Sequence, residues 1–556
     1  MSAKLISLAT LAVLMLAGCQ TAEKPSATAT EKPKAPHEQL IERLQASNTV
    51  LPPKQNLIEL WAMYNREAPI PPQCYTRTEG KHNPCYVCHQ NAIPGHENVM
   101  NDGELQSQYE FSDTGMNNHW RNLFEDRSAR VAAISDEEIL HWIDADNYSE
   151  LAPRLREANF QGWIPDIKNL QLGADAFDSE GFAKDGSQWV AFNYKPMPST
   201  FWPTNGSTDD VMIRLPIEFR SDENGNYSRD IYRINLAILE ASIKNLPTMS
   251  IDPIDENRVG IDLDGNHKLN ITTSVKARDH FIGGAKTVAT QAFIYPLGTE
   301  FLHTVRYIGV AQDGGIHNAS RMKEVRYMKR FQRSDSHQLE LWYKAEINER
   351  ETGELPSFIN LGQRGLGTPM GWELAGFIED RNGRLRANTF EETMYCMGCH
   401  SSIGTTIDKT FSFARKIDGT KGWTYLNLHG MPDAPNVGER EGEILTYLER
   451  NGGGSEFRNN DEMEKRFYHA DGSVNREAVT AANDVYALIT PSRERALLLN
   501  KAYKVIVADQ DYLYGRDATI TPPKNVYRKV DEATAPVLPE SLQYAWDIRL
   551  QWSRQN

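Results

Sequence analysis

The pattern of hydrophobic and polar positions divides the chain into three regions. Apolar residues recur at helical spacing over much of 37–180, and this spacing predicts a helical N-terminal part. Alternating and β-branched runs in 181–335 predict strands. Helical spacing returns in 336–556. The pattern therefore predicts an α+β fold, in which helical N- and C-terminal parts flank a β-rich middle region.

Individual elements follow from local patterns. Strands are predicted at 189–194, 211–215, 287–295 and 301–310. Helices are predicted at about 118–133, 135–146 and 229–244. The second of these helices begins with Ser135 and carries Glu138 three residues later, which is typical of a capping box.

The N-terminus has the pattern of an export signal. One lysine precedes a short apolar run, Leu5–Leu16, which is too short to span a bilayer as a mature helix. Residues 1–18 are therefore predicted to be a signal peptide. The run ends in Leu-Ala-Gly before Cys19, which resembles a bacterial lipobox. An ordinary signal peptide with an accidental cysteine is the alternative.

The lipobox resemblance implies that cleavage leaves Cys19 as the acylated first residue and that acyl chains tether the protein to a membrane. Gln20 follows, and by resemblance to sorted lipoproteins this favours the outer membrane, facing the periplasm. Residues 19–36 are rich in Ala, Thr, Pro and Lys and predict a flexible tether.

Composition excludes several classes of protein. The 556 residues carry 60 Lys and Arg against 75 Asp and Glu, so the net charge is −15 and no nucleic-acid partner is expected. Six cysteines in this length do not make a disulfide scaffold.

Four of the six cysteines lie in two C-x-x-C-H motifs, formed by Cys85, Cys88 and His89 and by Cys396, Cys399 and His400. This is the attachment motif of c-type haem. Two thiols at this spacing can add to the two vinyl groups of one porphyrin, and the adjacent histidine then serves as the proximal ligand of the iron. Two covalently bound haem groups are therefore predicted. Paired zinc or disulfide use is the alternative.

Each motif is followed by an amphipathic segment, 138–143 after the first and 443–448 after the second. Three glycines beginning at Gly452 suit the end of the second helix. This order resembles small class I cytochrome c domains over about 60–70 residues around each motif, and implies cytochrome c-like haem modules in the N- and C-terminal parts. A chance repeat is the alternative.

The sixth ligands of the two irons remain open. By the same resemblance, Met431 in a Gly-Met-Pro turn is the first candidate for the second haem, and His429 is its rival. A thioether ligand would raise the potential relative to bis-histidine ligation. For the first haem, His119 is favoured, then Met116. The other candidates are His96, Met100 and His141.

Three further features need an interpretation. Cys74 has no assigned partner, and a buried free thiol is the simplest explanation. The loop with Asp262, Asp264, Asn266 and Asn270 resembles dockerin-like and EF-type calcium loops, but its twelfth position is not a carboxylate. Calcium binding is one prediction for this loop, and polar Asx/Gly turns are the alternative.

A basic run, 321–330, is either one solvated face, a partner for haem propionates or a docking site for an acidic redox partner.

The sequence thus predicts a membrane-tethered dihaem c-type cytochrome that transfers electrons to and from redox partner proteins. A dihaem oxidoreductase, peroxidase-like or acting on a small molecule, with one open iron position, is the second hypothesis. A docking subunit of a respiratory complex is the third. The sequence around the motifs does not resemble the dihaem peroxidase pattern.

Overall fold

A computed structural model describes residues 64–91, 93, 103–108, 111–112, 115–198, 202–333, 335–351, 358–400, 411–452 and 460–552. The predicted signal peptide, Cys19 and the tether lie outside the described residues. So do most of the helical pattern before residue 68, and two ligand candidates, His96 and Met100.

The fold is built on one antiparallel sheet of eight strands. Seven strands follow the order β1-β2-β5-β6-β9-β8-β7, and β10 pairs with β9. A separate two-stranded hairpin is formed by β3 and β4. The strands are β1 Val190–Ala191, β2 Thr208–Arg214, β3 Thr248–Asp255, β4 Ile271–Lys276, β5 Glu300–Val310, β6 Ile316–Arg330, β7 Ile359–Asn360, β8 Leu366–Gly367, β9 Trp372–Glu379 and β10 Leu385–Ala387.

The described residues also form helices. They are α1 Ser128–Ala132, α2 Asp136–Asp144, α3 Leu151–Glu157, α4 Arg229–Lys244, α5 Glu256–Val259, α6 Ser336–Glu351, α7 Phe390–Met394, α8 Met397–His400, α9 Glu443–Asn451, α10 Asp461–Phe467, α11 Arg476–Ala481, α12 Val485–Ile489 and α13 Arg493–Asp509. Short 3-10 turns carry much of the chain around the first C-x-x-C-H motif, including Pro72–Tyr75 and Pro84–Val87.

The α+β fold class is confirmed, and several elements agree closely with the predictions. Helix α4 spans the predicted residues and is capped by Ser228, whose side chain accepts from the amide of Ile231. Ser135 caps α2 by accepting from the amide of Glu138. Helix α9 ends at Gly452, which has a φ of 74° and so occupies the left-handed region that favours glycine.

Other predictions about elements are wrong. The predicted helix 118–133 is broken into a 3-10 turn, Arg121–Phe124, and α1. The predicted strand 287–295 is a loop, and Phe293 within it has a positive φ of 65°, outside the β region. Strands β7 to β10 lie after residue 336, where helices were expected. All eight residues of β9 are buried, so the run has no alternation of polar and apolar positions.

The basic run 321–330 is not a solvated face, because it belongs to β6, in the interior of the sheet between β5 and β9. Arg321, Lys323 and Arg330 are all buried. Arg321 Nε donates to Glu379 Oε1 at 2.7 Å across to β9. The positive charges of these side chains therefore interact with groups inside the protein and not with solvent.

A single apolar core links the regions of the two motifs with the sheet. Its buried members include Tyr86 from the first motif, Met397 from the second, and Phe301 and Leu374 from β5 and β9. The sheet also continues to Ala387, beyond residue 335, where the sequence placed the end of the middle region. The division into modules stays a prediction.

Candidate functional site

The first C-x-x-C-H motif lies on a short 3-10 turn, Pro84–Val87. The side chain of Asn83 caps this turn by accepting from the amide of Tyr86 at 3.2 Å. The carbonyl of Cys85 accepts from the amides of Cys88 and His89, at 3.1 and 2.9 Å. One helical turn therefore brings the two cysteines and the histidine together.

Distant parts of the chain fix this turn from outside. Gln106 Nε2 donates to the carbonyl of His89 at 2.6 Å and to that of Tyr544 at 2.6 Å. Trp546 Nε1 donates to the carbonyl of Tyr86 at 2.7 Å. The backbone of the first motif is thus held by two side chains, Gln106 and Trp546, the second of which lies near the C-terminus.

One residue, Tyr395, separates the end of α7 from the second motif, which includes α8. Helix α7 starts with a capping box: Thr389 accepts from the amide of Glu392, and the Glu392 carboxylate accepts from the amide of Thr389. The carbonyl of Cys396 accepts from the amides of Cys399 and His400, at 3.2 and 3.1 Å. The two motifs therefore share one backbone pattern.

A cleft opens beside the second motif. Cys396, Cys399 and His400 form part of its wall, and the atom-free space, including the open mouth, is about 1610 Å³. The opposite wall is the sheet, to which β5 contributes alternate residues of one face: Phe301, His303 and Val305.

The cleft is electropositive, although the chain as a whole is acidic. Its charged lining consists of Lys323, Arg326, Arg415 and Arg516 against Glu324 and Asp517. Burial raises the pKa of the Glu324 carboxyl, but the charges of Arg326 and Arg516 and their hydrogen bonds outweigh it and lower this pKa to about 2. Glu324 is therefore ionised, and the lining still carries more positive than negative charge.

A polar group on the sheet wall was not found by sequence analysis. His303 Nε2 lies 3.1 Å from Asp209 Oδ2 of β2, and the Tyr194 hydroxyl donates to the same carboxylate oxygen. Burial and the charge of Asp209 raise the pKa of Tyr194 well above its ordinary value, so its hydroxyl remains a donor. The only sequence signal that could have indicated this group was the histidine, His303, within the largely apolar run 301–310.

Met431 and His429, the predicted sixth ligands of the second haem, do not line the cleft. Met431 is 2% exposed, belongs to the apolar core and is absent from the cleft wall. The ring of His429 stacks on Tyr486, with 3.7 Å between centroids. His119 Nε2 lies 3.3 Å from Glu67 Oε2. Ligation by any of these residues, or by the half-buried Met116, stays a prediction.

The predicted calcium loop is folded by its own acidic side chains. The carboxylate of Asp262 accepts from the amides of Gly265, Asn266 and His267, at 2.7, 3.2 and 2.8 Å. Oxygens of Glu256, Asp262 and Asp264 lie within 4.8 Å of one another, and Glu256 was not expected there. The backbone amide of Asn270 donates a hydrogen bond to Glu256 Oε2 at 3.0 Å. Calcium binding stays a prediction.

Fold and site together define a mixed α+β protein with two C-x-x-C-H motifs, one of them beside an electropositive cleft. A family model described as "-like lipoprotein" matches residues 58–487, and the chain belongs to this lipoprotein family. It is therefore lipid-anchored in the cell envelope. Neither its description nor that of the relative below names a cofactor or an activity.

A protein of Aquifex aeolicus (strain VF5), named "Uncharacterized lipoprotein", is 32% identical over 511 residues, which cover 82% of this chain and 86% of the relative. No solved structure matches the chain. Within the part of the chain that the structure describes, no helix has both the length and the apolar character needed to cross a membrane.

Proposed function

We propose that this lipoprotein is a dihaem c-type cytochrome that transfers electrons between redox partner proteins in the cell envelope. The observation that carries the proposal is the position of the second motif. Cys396, Cys399 and His400 form part of the wall of a cleft whose lining is mainly apolar and carries more cationic side chains than carboxylates. These are the properties that a covalently attached haem requires, since its ring is apolar and its two propionates are anionic.

Three residues of the second motif would hold the second haem. Cys396 and Cys399 would form the thioethers, and His400 would bind the iron. Lys323 and Arg326 of β6, and Arg516, line the same cleft and would neutralise the propionates. The haem would supply a one-electron redox couple, and the apolar wall would limit its contact with water, which is one of the factors that set its potential.

The cysteines support haem over the competing uses of C-x-x-C. Among the described residues, no disulfide joins Cys74 to any of the four motif cysteines or joins the motif cysteines to one another. The one group of potential metal ligands found among the described residues is Glu256, Asp262 and Asp264, far from both motifs in sequence and without cysteine. A zinc site would need four ligands around one ion at about 2.0–2.3 Å.

A small-molecule oxidoreductase is the second candidate function, and one observation favours it. His303, bonded to the buried Asp209, faces the same cleft as Cys399 and His400. A carboxylate behind a histidine fixes its tautomer and orientation, as in acid–base and metal-binding sites. If one iron lacks a protein sixth ligand, this histidine is placed to handle a proton for a bound substrate.

Haem stoichiometry in motif variants tests the proposal. The wild-type chain should carry two haems that acid acetone does not extract, measured as the pyridine haemochrome. Cys396→Ser/Cys399→Ser and Cys85→Ser/Cys88→Ser should each leave one covalent haem. Cys74→Ser is the matched control and should keep both. Haem that is extractable, or unchanged in both double variants, would contradict the proposal.

Carbon monoxide separates the two candidate functions. An electron carrier with six-coordinate irons should give the same reduced spectrum with and without carbon monoxide. A spectrum that shifts for one haem, and shifts differently in His303→Leu, would favour the oxidoreductase.

The anchor is tested separately. Cys19→Ser should release the protein from membranes, because no other acylation site is predicted and the apolar run before it is too short to span a bilayer. Continued sedimentation with membranes in high salt would place the anchor elsewhere.

A further inference from the structure

The two C-x-x-C-H motifs are about 300 residues apart in sequence, yet the segments that carry them adjoin in space. Pro71 and Gln73, which lead into the first motif, line the cleft together with Cys399 and His400 of the second. A Cβ built on Gly398 would lie 3.0 Å from the Cβ of Pro71. Glycine at the third position of the second motif thus permits this close contact.

Aromatic and polar contacts strengthen the same junction. The Trp120 ring packs edge-on against Tyr395, with centroids 5.3 Å apart, and its Nε1 donates to the carbonyl of Ile70 at 2.8 Å. The amide of Tyr64 donates to Glu391 Oε1 of α7 at 2.7 Å. The segment before the first motif is therefore fixed to the segment before the second along several residues.

Cys74 lies within this junction. Its amide donates to the carbonyl of Pro71 at 3.0 Å, and its 3-10 turn packs against the turn that carries Cys85.

We propose that the two motifs form one paired redox centre, with Pro71, Cys74 and Gly398 at the junction, so that cofactor at one motif is electronically coupled to cofactor at the other. This inference rests on the proposed function and deepens it. One-electron exchange within the pair is balanced, because reduction at one motif is oxidation at the other. Redox partner proteins supply and remove the electrons, so that an electron entering at one motif can leave at the other.

Circular dichroism in the Soret region of the haem-loaded full-length protein tests the coupling. Two coupled porphyrins give a pair of bands of opposite sign, whereas a single haem does not. The wild type should show the pair, and it should be lost in both Cys85→Ser/Cys88→Ser and Cys396→Ser/Cys399→Ser. A wild-type spectrum equal to the sum of the two variant spectra would overturn the inference.

A larger side chain at the junction gives a more specific test. Gly398→Val should keep two covalent haems but lose most of the band splitting, because the added methyl groups push against Pro71. Met397→Leu changes the neighbouring buried residue with little change in volume and should keep the splitting. Full splitting in Gly398→Val would contradict the placement of the junction.

One measurement needs no variant, in case a variant fails to fold. Electron paramagnetic resonance of the wild type should change shape, and not only amplitude, between half-oxidised and fully oxidised samples, because coupled irons act on each other's spectra. An amplitude change alone would overturn the inference. A chain without covalent haem would overturn the proposed function itself, whereas two haems with additive spectra would overturn only the pairing.

Discussion

The two C-x-x-C-H motifs have the same backbone pattern but different support. Asn83 and Gln106 bind the 3-10 turn of the first motif, in a region with little regular structure. The second motif is the continuation of a capped helix that packs against the sheet, and buried ion pairs surround it. The difference indicates that each motif depends on its own interactions, so substitutions can weaken one motif and leave the other.

The largest expected effect is at the second motif. Arg386 and Glu392 form a buried, bidentate pair in which both hydrogen bonds are 2.8 Å long. Arg386→Met leaves the Glu392 charge buried without this partner, which should lower the free energy of unfolding by about 3–5 kcal/mol. Chemical denaturation measures this loss, and the second haem should be lost before the first.

Lys344→Met is the control, because Lys344 and its partner Glu340 on α6 are both largely exposed. That change should leave the stability unchanged. Equal stability of Arg386→Met and the control would show that α7 does not need its ion pair.

The same contrast explains what could be predicted from the sequence. The end of α9 at Gly452 and the start of α4 at Arg229 depend on neighbouring residues, and both were predicted. Strand β9 and the cleft depend on the pairing of strands far apart in sequence. The wall that combines His303 with Lys323 exists because β5 pairs with β6, and no local pattern specifies that pairing.

The motifs themselves were visible because their chemistry needs fixed spacing. The residues that hold them were not: Gln106 and Trp546 are single polar or aromatic residues in loops, without any repeating signal. The predicted ligand Met431 followed from a resemblance in local order along the chain, whereas the structure places it in the core.

A smaller effect is expected at the first motif. Gln106→Leu removes the buried side chain that donates to the carbonyls of His89 and Tyr544, and leaves both carbonyls without this partner. We expect a loss of about 1–3 kcal/mol in the free energy of unfolding. The first haem should be incorporated less completely while the second is retained. Gln543→Leu, which alters a neighbouring contact to Ser107, is the control and should keep both haems.

The junction between the two regions should also make stability depend on pH. Burial raises the pKa of Glu391 from 4.5 to about 7, although its carboxylate accepts from the amides of Tyr64 and Asn65. A raised folded-state pKa stabilises the protein fully below pH 4.5, and this contribution is lost as the pH rises through 7.

Glu391→Gln should therefore reduce the fall in stability between pH 5 and pH 7.5 by on the order of 1–3 kcal/mol. Thermal unfolding at the two pH values measures the change. Asp230→Asn, on a different part of the fold, is the comparison. An equal fall in the wild type and in Glu391→Gln would mean that this carboxyl does not titrate in the range.

The smallest expected effect comes from comparing a substitution in the core, at Met431, with one in the cleft wall, at His303. His303→Leu should change the visible spectrum and midpoint potential of the second haem, since His303 lines the cleft. Met431→Leu is the comparison: Met431 is buried in the core, and an unchanged spectrum and potential would mean that it is not a ligand. Loss of a methionine–iron charge-transfer band in Met431→Leu would instead identify Met431 as the sixth ligand.

The intact mass of the purified wild-type chain tests the central claim most directly. Denaturing mass spectrometry removes every cofactor that is not covalently bound. We predict a mass that exceeds that of the lipidated polypeptide by two haem groups, one for each C-x-x-C-H motif. A polypeptide without this added mass, purified from cells that attach haem to other c-type cytochromes, would contradict the proposal that these motifs bind haem.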